Sequence, residues 1–212
     1  MINTVQGFNP TYYHKQQQSA PAAKTPEQSP SLMEIKPWIP KMKEVIHKSR
    51  YAAPNMTDQD WVLLACSEAL KSPAGWGRVG AVLVKNGKMM GKGASVGGLR
   101  IHAEMDALKN AGTLGHPELN KDVTAYVTLQ PCNFRDSGVP FKSCCHYLAE
   151  SGVKKVVFAG VDPRVGEKGL DYLRSHGIQV EQIQDPKIQA LGEKIFNLLD
   201  TPIPSSWRKE LC

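Results

Sequence analysis

The spacing of hydrophobic positions changes along the chain from helical periodicity to strand-like runs. After Thr57, a candidate N-cap with Asp60 three residues later, apolar residues recur on one helical face, so a helix is predicted to begin here. Two extended runs then flank Asn86-Gly87, a dipeptide that strongly predicts a β-hairpin. The folded domain is therefore expected to begin with a helix and a hairpin.

The rest of the chain alternates between strand and helix patterns. Strands are predicted over VTAYVTL, KKVVFAGV and IQVEQI. Helices are predicted over HAEMDALKNA, CCHYLAESG, GEKGLDYLRSHG and PKIQALGEKIFNLLD, with Gly152 and Gly177 ending two of them. A hairpin followed by alternating strands and helices predicts an α/β domain with a mixed sheet covered on both faces.

The first part of the chain differs in composition from the rest. Residues 1–31 mix Gln, Ser, Pro, Ala and Lys, which predicts a disordered low-complexity tail. Residues 32–56 are expected to be an N-terminal extension, in which apolar residues at helical spacing predict a short helix docking on the domain. The domain itself is expected over residues 57–200, followed by a C-terminal tail over residues 201–212.

Charge and cysteine content narrow the class of protein. The chain has 212 residues and a net charge of +6, but seven Lys or Arg against three Glu fall within residues 1–50, so the basic character says little about a site. A hydrophobic fraction of 41%, without an apolar run of membrane-spanning length or a signal-peptide core, predicts a cytoplasmic protein with no membrane partner. Five cysteines then favour metal ligation, catalysis or burial over disulfides.

One set of residues suggests metal-assisted chemistry. His102 and Glu104 lie at a predicted helix start, Cys132 follows a strand and a proline, and Cys144 and Cys145 open a later helix. Zinc in catalytic sites takes three ligands from His, Cys or carboxylate, and it lowers the pKa of a bound water to about 7. His102, Cys132 and one cysteine of the pair supply three ligands. Glu104 is placed beside them to carry protons.

Each of these residues also has a bland interpretation. His102 could bond to backbone at the helix start, and Glu104 could be a solvated carboxylate that favours the helix dipole. Both interpretations leave the cysteine pair unexplained. A zinc-stabilised scaffold without activity is a further alternative, but structural zinc sites usually close with four protein ligands, and Glu104 would then be idle.

The order His-x-Glu, Pro-Cys and a further cysteine resembles the zinc deaminase signature, in which the Glu is the general acid and base. Over residues 58–182 the chain is similar to the pyrimidine deaminases of the riboflavin pathway, a branch of the cytidine deaminase-like superfamily. The matching stretches are TAYVTLQPC, CCHYLAESGVKKVVFAGVDP and GEKGLDYLRSHGIQV. The resemblance implies a three-layer α/β/α sandwich with a mixed sheet.

The resemblance also implies a Zn²⁺ cofactor and a reaction. The expected reaction is hydrolytic removal of the 2-amino group from a diaminopyrimidinone ribosyl- or ribitylamino 5′-phosphate. In this family the last ligand lies eight residues before the glycine that ends its helix, which assigns the metal to His102, Cys132 and Cys144. Glu104 is then the proton carrier, and Cys145 packs within the fold. A homodimer is expected, since the superfamily commonly forms dimers or tetramers.

Substrate contacts are predicted in two loops that depart from the bacterial pattern. In WGRVG, Trp76 stacks on the pyrimidine or packs in the interior, and Arg78 contacts phosphate or faces solvent. After the first cysteine, Asn133 stands where bacterial members have serine, within a segment NFRDSG that resembles fungal members. Arg135 or Lys142 binds the phosphate or is a solvated loop charge.

A deaminase acting on tRNA or single-stranded DNA is the alternative. It is favoured by the basic N-terminal region and by Phe134 and Arg135, which are available for stacking and phosphate contact. The segment DPRVGEKGL favours the small-molecule enzyme, because the riboflavin branch has this arrangement. No reductase pattern follows, so reduction of the product is expected to belong to another polypeptide.

Overall fold

A five-stranded mixed sheet organises the chain. The computed structural model describes residues 29–51, 55–73, 75, 77–97, 101–133 and 142–212. The strands are β1 Gly80–Lys85, β2 Lys88–Ala94, β3 Val123–Leu129, β4 Lys155–Gly160 and β5 Gln179–Gln182, in the spatial order β2-β1-β3-β4-β5. Strand β1 is antiparallel to β2 and β3, whereas β3, β4 and β5 run parallel. The predicted mixed sheet is therefore confirmed.

The turn between β1 and β2 has the geometry that its sequence predicts. Asn86 and Gly87 have φ values of 52° and 70°. Positive φ at both central residues is the type I′ turn, whose twist matches that of the two flanking strands. Lys85 pairs with Lys88 across it, which sets the register of the hairpin.

The helices alternate with the strands as expected. They are α1 Pro30–Ile35, α2 Ile39–Arg50, α3 Asp58–Ala69, α4 Ala103–Asn110, α5 Cys144–Glu150, α6 Lys168–Ser175, α7 Pro186–Phe196 and α8 Ser205–Glu210, with 3₁₀ turns at Lys36–Trp38 and Pro117–Leu119. Helix α3 begins with the predicted capping box. The Asp60 amide donates to Thr57 Oγ1 at 3.3 Å, and the Thr57 amide donates to Asp60 Oδ2 at 3.0 Å.

Strand alternation divides the apolar residues between the two faces of the sheet. Val82 and Val84 of β1 pack with α3 and α7, whereas Ala81 and Leu83 pack with α4 and α5. Successive side chains of a strand point to opposite faces, so each face builds its own core against a helical layer. The three-layer α/β/α sandwich is confirmed.

Both ends of the described chain reinforce the α3 and α7 layer. Helix α2 buries Ile39 and Met42 in that core. The segment expected as a C-terminal tail forms α8 and contributes Trp207 and Leu211, which are 6% and 1% exposed. Most of the predicted N-terminal tail, residues 1–28, lies outside the described residues, and the domain boundaries stay a prediction.

None of the helices in the described ranges is long and apolar enough to cross a membrane.

Candidate metal centre

The metal-ligand candidates meet at the edge of the sheet where the parallel strands β3 and β4 end. Cys132 follows β3, whose last residue Leu129 is paired with Gly160, the last residue of β4. His102 is the N-cap of α4, and Cys144 is the first residue of α5. The carboxyl ends of parallel strands are a usual place for ligand sites in α/β proteins.

The three candidate ligands lie close enough to share one ion. His102 Nδ1 is 3.2 Å from Cys144 Sγ and 3.5 Å from Cys132 Sγ. All three ligand atoms lie within 4.8 Å of one another. The backbone holds the two cysteines together, since the Cys145 amide donates to the Cys132 carbonyl at 3.1 Å.

The donor set fits Zn²⁺. With Zn–S near 2.3 Å and Zn–N near 2.0 Å, tetrahedral geometry puts a nitrogen and a sulfur about 3.5 Å apart. The nitrogen–sulfur separations of 3.2 and 3.5 Å agree with that value. One imidazole and two thiolates are also ligands that zinc prefers. Within the described residues, these three side chains form a group that could hold a metal ion, and they supply the three protein ligands that a catalytic zinc site takes.

The surroundings of Cys132 favour the thiolate that a metal requires. Hydrogen bonds with the side chain and main-chain amide of Cys144, and with His102, lower the pKa of the Cys132 thiol to about 4, against the opposing effect of burial. Cys145 differs, because burial raises the pKa of its thiol well above the ordinary value. Its Sγ lies 3.5 Å from the Pro131 carbonyl oxygen. Cys145 thus has the environment of a packing residue, as the family resemblance implies.

Glu104 lies next to the cluster but is buried. Its side chain is 3% exposed, and the Cys144 thiol donates to its Oε2 at 3.2 Å. Burial, with the nearby Cys132 as a second cause, raises the pKa of the Glu104 carboxyl, while His102 opposes the shift. The solvated-carboxylate interpretation of Glu104 is therefore wrong. A buried carboxyl with a raised pKa beside a metal site is suited to accept and release a proton.

Comparison with known proteins gives the family. Residues 55–160 match the family model for the cytidine and deoxycytidylate deaminase zinc-binding region. The chain belongs to this zinc-binding deaminase family. The Zn²⁺ prediction and the assignment to a hydrolytic pyrimidine deaminase are therefore confirmed. The roles of the individual site residues stay predictions that the geometry supports.

Relatives of this deaminase point to the riboflavin branch. The diaminohydroxyphosphoribosylamino-pyrimidine deaminase of Buchnera aphidicola subsp. Schizaphis graminum is 36% identical over 129 residues, which cover 59% of this chain and 82% of that protein. The riboflavin biosynthesis protein RibD of Aquifex aeolicus is also 36% identical over 129 residues, but these cover 34% of its length. The deaminase thus spans about a third of that relative.

A solved structure agrees with the fold. It is the diaminohydroxyphosphoribosylaminopyrimidine deaminase/5-amino-6-(5-phosphoribosylamino)uracil reductase of Thermotoga maritima, which is 30% identical with a TM-score of 0.55. The similarity covers 67% of this chain and 40% of that one. The predicted cytidine deaminase-like fold is confirmed.

The structure gives Arg78 a different place from the one expected in the deaminase. Its side chain is 0% exposed. The guanidinium donates to the main-chain carbonyls of Ser72, Thr201 and Leu198, at 2.9 Å for Thr201 and 3.5 Å for Leu198. A buried guanidinium that binds backbone is neither a phosphate contact nor a solvent-facing charge, so both sequence interpretations of Arg78 are wrong.

The other predicted substrate residues are only partly described. Trp76 and Arg135 lie outside the described residues. Lys142 is exposed and forms an ion pair with Glu150 at 2.5 Å. Asn133 is half-buried directly after Cys132. Lys142 and Asn133 therefore stay candidates for substrate contact.

Sequence reasoning missed the part of the loop after β4 that packs against the metal centre. Gln130 Nε2 donates to the Gly166 carbonyl at 2.6 Å. A Cβ added at Gly169 would lie 3.0 Å from both Asn133 Cβ and Cys145 Sγ. The signal available in the sequence was the pair of glycines in VGEKGL, since glycine often marks a place where two parts of a chain approach closely.

Proposed function

We propose that this deaminase removes the 2-amino group from a diaminopyrimidinone ribosylamino or ribitylamino 5′-phosphate in riboflavin biosynthesis. The observation that carries the proposal is the buried carboxyl of Glu104 beside the His102, Cys132 and Cys144 cluster, in a chain whose relatives are named for this reaction. The cluster accounts for hydrolytic deamination, and the relatives account for the substrate.

The chain's own residues would divide the work as follows. His102, Cys132 and Cys144 would hold the zinc, which when bound supplies a water with a pKa near 7. Glu104 accepts one proton from the attacking water and passes it to the ring nitrogen, and it then carries the second water proton from the added oxygen to the leaving amine. The carbon–nitrogen bond breaks as ammonia departs, and the ring carbon gains an oxygen. Zinc ligation would need the Cys144 thiolate, so the thiol proton that Cys144 donates to Glu104 would be released when zinc binds.

The phosphate of the substrate requires a cation. Arg135 and Lys142 are the candidates in the loop between the two cysteine ligands. Lys142 already faces the Glu150 carboxylate, which raises the pKa of its ammonium through a hydrogen bond. It would have to exchange that carboxylate for the phosphate. The homodimer expected from the family belongs to the same proposal.

An ammonia-release assay on the purified zinc-loaded protein tests the proposal. The substrates are the ribosylamino and ribitylamino phosphates, with cytidine, guanine and single-stranded oligonucleotides measured in parallel. We expect ammonia from one of the diaminopyrimidinone phosphates and background release from the others. Release from oligonucleotides alone would replace the proposal with the nucleic-acid alternative.

A further inference from the structure

The C-terminal end of α7 contacts both segments that flank the strand leading to Cys132. Strand β3, which ends just before Cys132, lies between β1 and β4 in the sheet. The segment entering β1 includes Gly77, and the loop leaving β4 includes Asp162 and Arg164. These two segments therefore lie on either side of the end of β3, and we call them the entry wall (residues 77–79) and the exit wall (residues 161–166).

Helix α7 reaches this edge because it packs unusually close to the sheet. A Cβ added at Gly192 would overlap the Thr128 carbonyl oxygen and would lie 3.0 Å from Ala159 Cβ. A glycine at this position lets the helix backbone touch the ends of β3 and β4. Phe196 is four residues later, on the same face of the helix. The Phe196 ring therefore lies at the same edge of the sheet as the metal centre.

The ring of Phe196 lies between the two walls. On the entry side, a Cβ added at Gly77 would overlap the ring, so ring and backbone are already in contact. On the exit side, the Arg164 guanidinium lies 5.2 Å from the ring centroid. Asp162 fixes that guanidinium with two hydrogen bonds, at 2.8 Å from Nε and 2.7 Å from Nη2. One aromatic side chain is thus confined from both directions.

The entry wall is connected to the metal centre by hydrogen bonds. Ser95 Oγ donates to the Gly77 carbonyl, and the Ser95 amide donates to the Val79 carbonyl, both at 2.9 Å. The next residue, Val96, forms a bridge with Ile101, which precedes the ligand His102.

The exit wall is connected to the metal centre through its C-terminal end. The Gly166 carbonyl accepts a hydrogen bond from the side-chain amide of Gln130, and Gly169 packs against Asn133 and Cys145. A movement of either wall would therefore shift residues that lie next to the metal ligands.

We infer that the two walls line the substrate pocket and that Phe196 is a positioning residue, which holds them at a fixed separation. It contacts neither the metal ligands nor Glu104 in the contacts that the structure describes. Displacing it should weaken binding of substrate and transition state alike, which raises KM and leaves kcat nearly unchanged. The inference takes its substrate from the proposed function. The coupling of the two walls through Phe196 does not depend on that function.

A size exchange between Gly77 and Phe196 tests the inference. Gly77→Ala pushes the ring toward Arg164, and KM for the pyrimidine phosphate should rise about tenfold with kcat within about twofold. Phe196→Leu alone should raise KM about threefold, because the shorter side chain supports both walls less well. In the double variant the shorter side chain makes room for the new methyl group. Its KM should therefore fall below that of Gly77→Ala.

The matched control is Ile195→Val, which removes one methylene from the adjacent residue of α7. Ile195 is 0% exposed in the apolar core, and only Phe196 atoms, not Ile195, lie nearest to a Cβ added at Gly77. Its substitution should lower the melting temperature without changing KM. Zinc content should equal that of the wild type in all four proteins. A double variant whose KM is the product of the two single effects would overturn the inference.

Hydrogen–deuterium exchange gives a second readout that does not depend on the substrate. Phe196→Leu should speed amide exchange in the entry wall and in the exit wall together, and Ile195→Val in neither. If the wild type releases no ammonia from the pyrimidine phosphates, the proposed function fails. The amide exchange rates then test by themselves whether Phe196 couples the two walls. Faster exchange in one wall with no change in the other would overturn the inference.

Discussion

Replacing Arg78 by methionine separates a structural role from a substrate contact. The substitution keeps a long unbranched side chain but removes the guanidinium that donates to the carbonyls of Ser72 and Thr201, with a longer contact to Leu198. Each buried acceptor left without a partner costs about 1–3 kcal/mol. Two such acceptors give about 2–6 kcal/mol. The guanidinium was itself desolvated, as its lowered pKa indicates, and removing it returns part of that cost.

We therefore expect Arg78→Met to lower the free energy of unfolding by about 2–4 kcal/mol. Urea denaturation followed by circular dichroism measures it. With a slope of about 2 kcal/mol/M, the midpoint should fall by about 1–2 M. The control is Arg208→Met on the exposed side of α8, which should change stability by less than about 0.5 kcal/mol. An unchanged midpoint together with a raised KM for the phosphorylated substrate would refute the structural role.

Three further predictions concern the site and its surroundings. Glu104→Gln should keep its zinc, measured by plasma mass spectrometry, and lose at least about 10²-fold in kcat; retained turnover would remove Glu104 from the mechanism. Cys144→Ala should lose zinc, whereas Cys145→Ala should keep it and lose about 1–2 kcal/mol of stability in a thermal melt; the reverse outcome would exchange their roles. Burial acts to raise the pKa of Asp162, but its bonds to Arg164 prevail and lower that pKa below its ordinary 3.8. Its stabilising effect is therefore present above pH 3.8 and lost as the pH falls through the lower folded value. Asp162→Asn should not lose this stabilisation in an acid-unfolding titration. The same dependence of stability on pH in the variant and the wild type would contradict the prediction.

The elements that sequence predicted correctly are those with local causes. The type I′ turn needs only Asn86 and Gly87, and the capping box needs only Thr57 and Asp60. The alternation of faces along β1 is equally local. These features depend on residues within one turn or one hairpin, so a single sequence contains the information.

The features that sequence missed depend on contacts between distant segments. Charged side chains are rarely buried unless they are paired, so nothing in WGRVG indicated that Arg78 would lie at 0% exposure. Its partners Leu198 and Thr201 are 120 and 123 residues away in the chain. The same holds for Trp207, which is buried against a core that begins with α1 and α2.

The choice between Cys144 and Cys145 shows where local reasoning ends. Adjacent helical residues point about 100° apart, so one cysteine can face the metal only if the other faces away. Composition and spacing allow either cysteine to be the zinc ligand, and the family pattern was needed to select Cys144. In the structure Cys144 Sγ lies 3.2 Å from His102 Nδ1, whereas Cys145 Sγ lies next to Gly169, where a Cβ would come within 3.0 Å of it.

The charge balance of the site explains why the proton carrier has to be buried. Zn²⁺ and two thiolates sum to no net charge, and a neutral imidazole adds none. A zinc-bound centre of this composition would therefore exert little net electrostatic attraction on the Glu104 carboxylate. Desolvation would continue to disfavour its charged form. Desolvation is also the first cause of the raised pKa of Glu104. An exposed glutamate would have a pKa near 4.3 and would hold a proton too weakly at neutral pH. Burial moves it toward the range in which one group can both accept and return a proton.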